Sequence, residues 1–224
     1  GDDIRLNIGR ILQYGYCGSI STSWKSQNSD DADKLSHAIA TQLLIWETIV
    51  GERDESFNHK SPGSYDAILD HIQKGHPLYS RIMAYYNSMS ESVQKHTKVP
   101  SFCTKSSGSA KVNELKWDGS KYVTTLTDSN GVLGNYEFSA NIDGVTFSKS
   151  GNKLTVSMTK APSKEFTITA TKTNGTRKGI VVWTDGKNSP GNGIQDVVSY
   201  SQNVSDPVTV SYTHLRAHET RHDL

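Results

Sequence analysis

The sequence predicts an α+β protein: a mainly helical first part over residues 1–105, followed by an all-β, immunoglobulin-like sandwich over residues 106–210. Three observations carry this. Apolar residues in the first hundred positions recur at spacings of three and four, the period of one helix face. After Cys103 the composition shifts to short runs in which apolar residues alternate with Ser and Thr, the period of a half-buried strand. Those runs are punctuated by Asn130-Gly131, Asp143-Gly144, Gly151-Asn152 and Asn174-Gly175, dipeptides suited to tight hairpin turns.

In chain order, Ile4, Ile8, Ile11 and Leu12 predict a helix over residues 4–14 that stops at Gly15. Residues 18–33 are rich in Ser, Asn and Asp and read as a loop, with Trp24 as a candidate ligand-facing aromatic, leading to an acidic helix start. The central helix covers residues 31–50 and ends near Gly51. Leu35, Ile39, Gln42, Trp46 and Ile49 share one of its faces, which places Gln42 on the apolar stripe and predicts a buried carboxamide. Such a group left without partners costs roughly 1–3 kcal/mol, so it needs either backbone partners or a chemical role. Tyr65, Ile68, Leu69 and Ile72 predict a helix over residues 64–74. Pro77 opens another over residues 77–96, with Ile82, Tyr86, Met89 and Val93 inward.

Lys105 to Ala110, rich in Ser and Gly, reads as a linker. Strands are expected at 121–127, 136–140, 145–148, 154–159, 166–171, 179–183 and 197–202. Leu154, Val156 and Met158 face one way, as do Phe166, Ile168 and Ala170, which suits two antiparallel sheets packed face to face. Residues 211–224 show no strand alternation and are expected to be a non-native tail, disordered or loosely docked. Their histidines, His214, His218 and His222, offer a metal-binding alternative.

Composition bounds the function. The 224 residues suffice for two domains with sizeable cores. A hydrophobic content of 34% and a mean hydropathy of −0.56 describe a polar surface. The net charge of +1 gives no electrostatic programme for nucleic acid or membrane. No apolar run approaches the ~18 residues of a membrane span. Cys17 and Cys103 allow one disulfide or two free thiols.

Several chemistries find little support. Gln13 with Cys17-Gly18-Ser19 is a poor likeness of a papain-type oxyanion glutamine and nucleophile, since the spacing is short and Ile20 stands where a second cysteine belongs. His37, His59, His71, His76 and His96 lack the HExxH or paired Cys/His spacing of zinc sites, and no glycine-rich phosphate loop occurs. No metal, no cofactor and no conventional enzyme are expected.

Ala40-Thr41-Gln42-Leu43-Leu44-Ile45-Trp46-Glu47, followed by Val50-Gly51-Glu52-Arg53-Asp54, resembles the Thr-Gln-x-x-Ile-Trp signature of thioester domains in surface proteins of Gram-positive, especially clostridial, bacteria. Ile8 to Tyr16, ending in Tyr14-Gly15-Tyr16, and Val99-Pro100-Ser101-Phe102 resemble two weaker segments of that family, so the likeness covers about residues 4–105. The resemblance implies that Gln42 condenses with a cysteine, losing ammonia, to give an internal thioester that then acylates a lysine amine of a host surface or matrix protein. It implies covalent adhesion without turnover, an extracellular place on the cell wall, and Thr41, Trp46 and Glu47 as residues shaping the pocket. The family's cysteine lies in a Tyr-Cys motif before the Tyr-Gly-Tyr segment, and this chain begins without one. The partner is therefore expected to lie upstream of this fragment, together with the signal peptide, while the wall anchor lies beyond its other end; Cys17, directly after Tyr16, is the second candidate. In such stalk domains a lysine isopeptide cross-link is frequent, but no motif selects a pair here. The alternatives are a module that binds a carbohydrate or protein non-covalently through the sandwich or the Trp24 loop, and a plain structural spacer.

Overall fold

The computed structural model describes residues 2–23, 26–63, 66–183, 197–206 and 210–217. In chain order its elements are α1 (Asp2–Tyr14), α2 (Asp30–Val50), α3 (Tyr79–Thr97), β1 (Val112–Trp117), β2 (Tyr122–Thr127), β3 (Tyr136–Ala140), β4 (Thr146–Ser150), β5 (Lys153–Met158), β6 (Phe166–Lys172), β7 (Thr176–Trp183), β8 (Val197–Ser205) and β9 (Val210–Ala217). The architecture is α+β, helices first and a large sheet after them. Two compact units emerge, Gly1–Thr97 with Thr176–Asp206, and Lys98–Gly175 with Pro207–Leu224. This division departs from the linear boundaries expected at residues 105 and 210. The reason is that, among the described residues, β7 and β8 pair only with each other and pack Ile180 and Val198 against the helical core, a long-range choice that no local pattern encodes.

In the helical unit, Ser29 caps α2 by accepting a hydrogen bond from the Ala32 amide at 3.2 Å, and Asp30, Asp31 and Asp33 suit its positive end. Gly51, left-handed at φ 86°, closes it. The buried face of α2 is not the stripe expected from hydropathy. Ala32, Ser36, Ala40, Leu44 and Glu47 point inward, whereas Gln42 is exposed and Trp46 and Ile49 are 42% and 50% exposed. Polar residues can hold the inner face because each is satisfied. Ser36 and Thr48 donate to the carbonyls of Ala32 and Leu44, both at 2.7 Å, and Glu47 accepts from Arg53 Nε at 2.7 Å. The helix is thus rotated relative to its hydropathy, and Gln42 moves from core to surface.

Around α2 the core gathers Ile8 and Ile11 from α1, Ile82, Tyr86, Met89 and Val93 from α3, and Phe57 and Leu78 from loops. Gly9 lets β7 cross α1, because a Cβ there would collide with the Lys178 carbonyl. The helix expected over residues 64–74 is reduced to a 3-10 turn, Ile68–His71; Ser64 and Tyr65 fall outside the described residues. The Ile68 amide is held by Glu52 Oε1 at 3.1 Å, and Ile68, Leu69 and Ile72 reach the core from that short turn. A segment so brief gains little from propagating a helix whose nucleation is costly.

In the β unit the strand order is β3-β6-β9-β1-β2-β5-β4, with β1 and β9 parallel and every other pair antiparallel. The edge strands β3 and β4 meet through side chains: Lys149 Nζ donates to the Tyr136 carbonyl at 2.8 Å, and the Phe138 and Phe147 rings lie 6.1 Å apart. The sheet therefore curls as a barrel-like sandwich around Leu115, Leu126, Leu154, Val156, Phe166, Ile168 and Leu215. Residues 210–217, expected in part as a loose tail, form β9 between β6 and β1. Its buried side chains are Ser211, Thr213 and Leu215, so the period of two is present but written in hydroxyls. Residues 218–224, with His218 and His222, lie outside the described residues.

Candidate functional site

Cys17 and Gln42 line one cleft of about 470 Å³ in the helical unit. The cleft starts from how α1 ends. The Gly15 amide closes the last turn onto the Ile11 carbonyl at 2.7 Å, and the Tyr16 amide then donates to Thr41 Oγ1 at 3.0 Å. Thr41 Oγ1 itself donates to the His37 carbonyl at 2.8 Å, while His37 Nε2 lies 3.2 Å from the Tyr14 carbonyl and its ring stacks on Tyr85 at 4.3 Å. Residues 14–17 are thereby laid along α2. A side chain at position 15 would be crowded, since a Cβ would come within 2.6 Å of Thr41 Cγ2 and 2.9 Å of the Ile11 carbonyl. Adjacent Tyr-Gly-Tyr and Thr-Gln segments thus act as one structural unit.

From there the walls follow. Leu12, Ile39, Thr41 and Ile45 come from α1 and α2, Tyr16, Gly18 and Ile20 from the intervening loop, and Val198 and Tyr200 from β8. Tyr200 donates its hydroxyl to the Cys17 carbonyl, and Tyr16 donates its own to the Ser19 carbonyl at 2.6 Å. Both bonds fix the loop that presents Cys17. Its thiol donates to the Leu12 carbonyl at 3.4 Å. Burial pushes the Cys17 thiol up, partly offset by the nearby Lys178 ammonium, so the sulfur is protonated near neutral pH. Cys17 and Cys103 are free thiols, the latter buried in the β unit.

Gln42 is exposed at the cleft, and most of the other side chains that line it are apolar. Of the residues expected to shape the pocket, Thr41 does so. Trp46 and Glu47 do not line it; Ile45 does, while Glu47 points inward to Arg53. Val198 and Tyr200 escaped the sequence reading because they join from more than 150 positions downstream with no local signal. Gln13 sits on α1, and the Cys17 thiol is turned to the Leu12 carbonyl. Trp24 lies outside the described residues.

The fold and the cleft define an α+β protein that presents an accessible glutamine carboxamide and a cysteine on one surface depression. No family model matches the chain, and no curated protein matches it. Among solved structures, the chain is similar to the thioester domain of the Staphylococcus aureus TIE protein, at 23% identity and a TM-score of 0.46, covering 97% of this chain and 71% of that one. Among the described residues no helix is long and apolar enough to cross a membrane.

Proposed function

We propose that this chain is a covalent adhesion module of the thioester type, with Gln42 as acyl donor and Cys17, the second candidate of the sequence pattern after an upstream cysteine, as the sulfur that meets it because it shares the cleft. The observation that carries this reading is the convergence of Gln42 and Cys17 on one cleft, within the two segments whose residues resemble thioester domains. In the first step Cys17 Sγ attacks the Gln42 side-chain carbonyl carbon. The C–S bond forms, the C–N bond breaks, and the nitrogen leaves as ammonia carrying the thiol proton. In the second, a lysine ε-amine of a host surface or matrix protein attacks the same carbon, an amide forms, and the sulfur departs as the thiol with the amine's proton. Each molecule reacts once, so the device adheres without turning over, on the outer face of a Gram-positive cell wall.

Exposure of Gln42 supports access by a bulky macromolecular amine, and Ile20, Ile39 and Ile45 contribute apolar side chains to the same cleft. The same apolar lining would suit a non-covalent ligand, and methylamine separates the two readings. Incorporation at Gln42, found by peptide mapping together with a newly free Cys17 thiol, supports the thioester. A protein that takes up no methylamine contradicts it.

A further inference from the structure

Glu47, Glu52 and His59 converge in the helical unit, the first two from the end of the segment that resembles the thioester signature and the third from beyond it. Their ligand atoms all lie within 4.8 Å of one another. His59 Nε2 is 3.6 Å from Glu52 Oε2 and 3.9 Å from Glu47 Oε1. The two carboxylates are buried, at 0% and 1% exposure, while the His59 side chain is 42% exposed and opens the group to solvent.

The partners of these carboxylates are unevenly shared. Glu47 accepts from Arg53 Nε at 2.7 Å and from the Tyr86 hydroxyl at 2.7 Å. Glu52 Oε1 accepts from the Ile68 amide at 3.1 Å. Glu52 Oε2, although buried and aimed at His59, has no hydrogen-bond partner among the described residues. A buried acceptor left this way is costly, and Glu52 lies beside a second buried carboxylate, Glu47. Both facts call for a cation at that edge.

The scaffold holds the group in place beforehand. Gly51 turns the chain back at the end of α2, and residues 52–60 form a small hairpin in which the Lys60 amide donates to the Glu52 carbonyl at 2.8 Å and the Asp54 amide to the Asn58 carbonyl at 3.0 Å. At its tip Phe57 is fully buried with φ 64°, an unfavourable conformation for a bulky residue. It is held by Arg53 and Gln94, which donate to its carbonyl at 3.2 and 3.3 Å. Strain of this kind persists where the surroundings over-determine it and clusters at functional sites.

We propose that Glu47 Oε1, Glu52 Oε2 and His59 Nε2 bind a divalent transition-metal cation of the zinc type, with a fourth position open to water or a ligand on the His59 side. Donors about 2.0–2.2 Å from a tetrahedral zinc stand roughly 3.4 Å apart; the His59 spacings of 3.6 and 3.9 Å are close to this, while Glu47 and Glu52, within 4.8 Å of each other, must close in on the ion as it binds. An imidazole beside two carboxylates suits zinc better than magnesium or calcium. Arg53 holds the other oxygen of Glu47, Oε2, and Tyr86 donates to Oε1 itself, so both fix the carboxylate as outer partners of metal ligands do.

The test is calorimetric titration of zinc into the full chain after chelator treatment, with the visible spectrum of bound cobalt as a second readout. One zinc per chain is expected at this site, with binding weakened by about a hundredfold or more in His59→Ala and in Glu52→Gln, and by about tenfold in Tyr86→Phe. His59 is exposed, so His59→Ala should fold and melt as the metal-free wild type does. The double variant His218→Ala/His222→Ala should bind zinc as the wild type does, which separates this site from the terminal histidines. Failure of the wild type to bind zinc, unchanged affinity in His59→Ala, or loss of binding only with the terminal histidines would each overturn the proposal.

Discussion

Arg10 of α1 grips Asp206, the residue after β8, through two parallel contacts of 2.8 Å, with both side chains buried. Behind the pair, His96 Nε2 of α3 lies 3.3 Å from Asp206 Oδ2, and the Tyr14 hydroxyl meets His96 Nδ1 at 2.7 Å. One buried polar chain therefore ties α1 and α3 to the end of the β7–β8 hairpin that carries Val198 and Tyr200 into the cleft. Asp206→Ala would leave the Arg10 guanidinium buried without its carboxylate. A loss of about 3–5 kcal/mol is expected in urea denaturation, together with loss of methylamine uptake at Gln42.

Gly15→Ala tests the contact between the Tyr-Gly-Tyr segment and α2. The new methyl would press on the Thr41 side chain, and the Tyr16–Thr41 hydrogen bond should lengthen or break. Overpacking of this kind costs about 1–3 kcal/mol. Thermal melting should show that loss, and amine labelling should slow because Cys17 is only two residues away.

The two thiols should separate by pH. Alkylation needs the thiolate, and burial raises both thiols, so both are protonated at neutral pH. In a chain whose thioester has been opened with methylamine, the rate at Cys17 should climb with pH through a midpoint above the ordinary thiol value. Cys103, pushed up to about 12, should stay unmodified in the same range. Lys178→Ala removes the neighbouring positive charge and should move the Cys17 midpoint higher still. Peptide mapping of iodoacetamide adducts across a pH series checks all three.

In the β unit, Asp128 is the residue whose loss should be felt most. It is buried and accepts hydrogen bonds from the amides of Ser101, Asn130, Val132 and Leu133 at 2.7–3.0 Å. Asp128→Ala leaves those donors facing a void. At about 1.5–3 kcal/mol for a hydrogen bond to a charged group, a loss of about 3 kcal/mol or more is expected in chemical denaturation.

Much of this was legible in the sequence, and the remainder was hidden for identifiable reasons. The inward apolar residues of α1 and α3 and seven of the nine strands among the described residues follow from apolar periodicity, although Asn7, Arg10 and His96 are buried beside them. Strand β9 was missed because its core positions include Ser211 and Thr213, and β1 because Leu115 stands nearly alone as a buried apolar residue within Val112–Trp117. The rotation of α2 was hidden because Ser36, Thr48 and Glu47 satisfy themselves locally, which periodicity does not register. Thr41, Gln42 and Cys17 could be singled out by local motif. The cleft that joins them could not, because β8 completes it from far along the chain.

The most direct test of the central claim is the intact mass of the unreduced chain, measured beside Gln42→Ala and Cys17→Ala after correction for each substitution. The account predicts a deficit of one ammonia in the parent chain and none in either variant. A parent chain at full mass that also takes up no methylamine would contradict it.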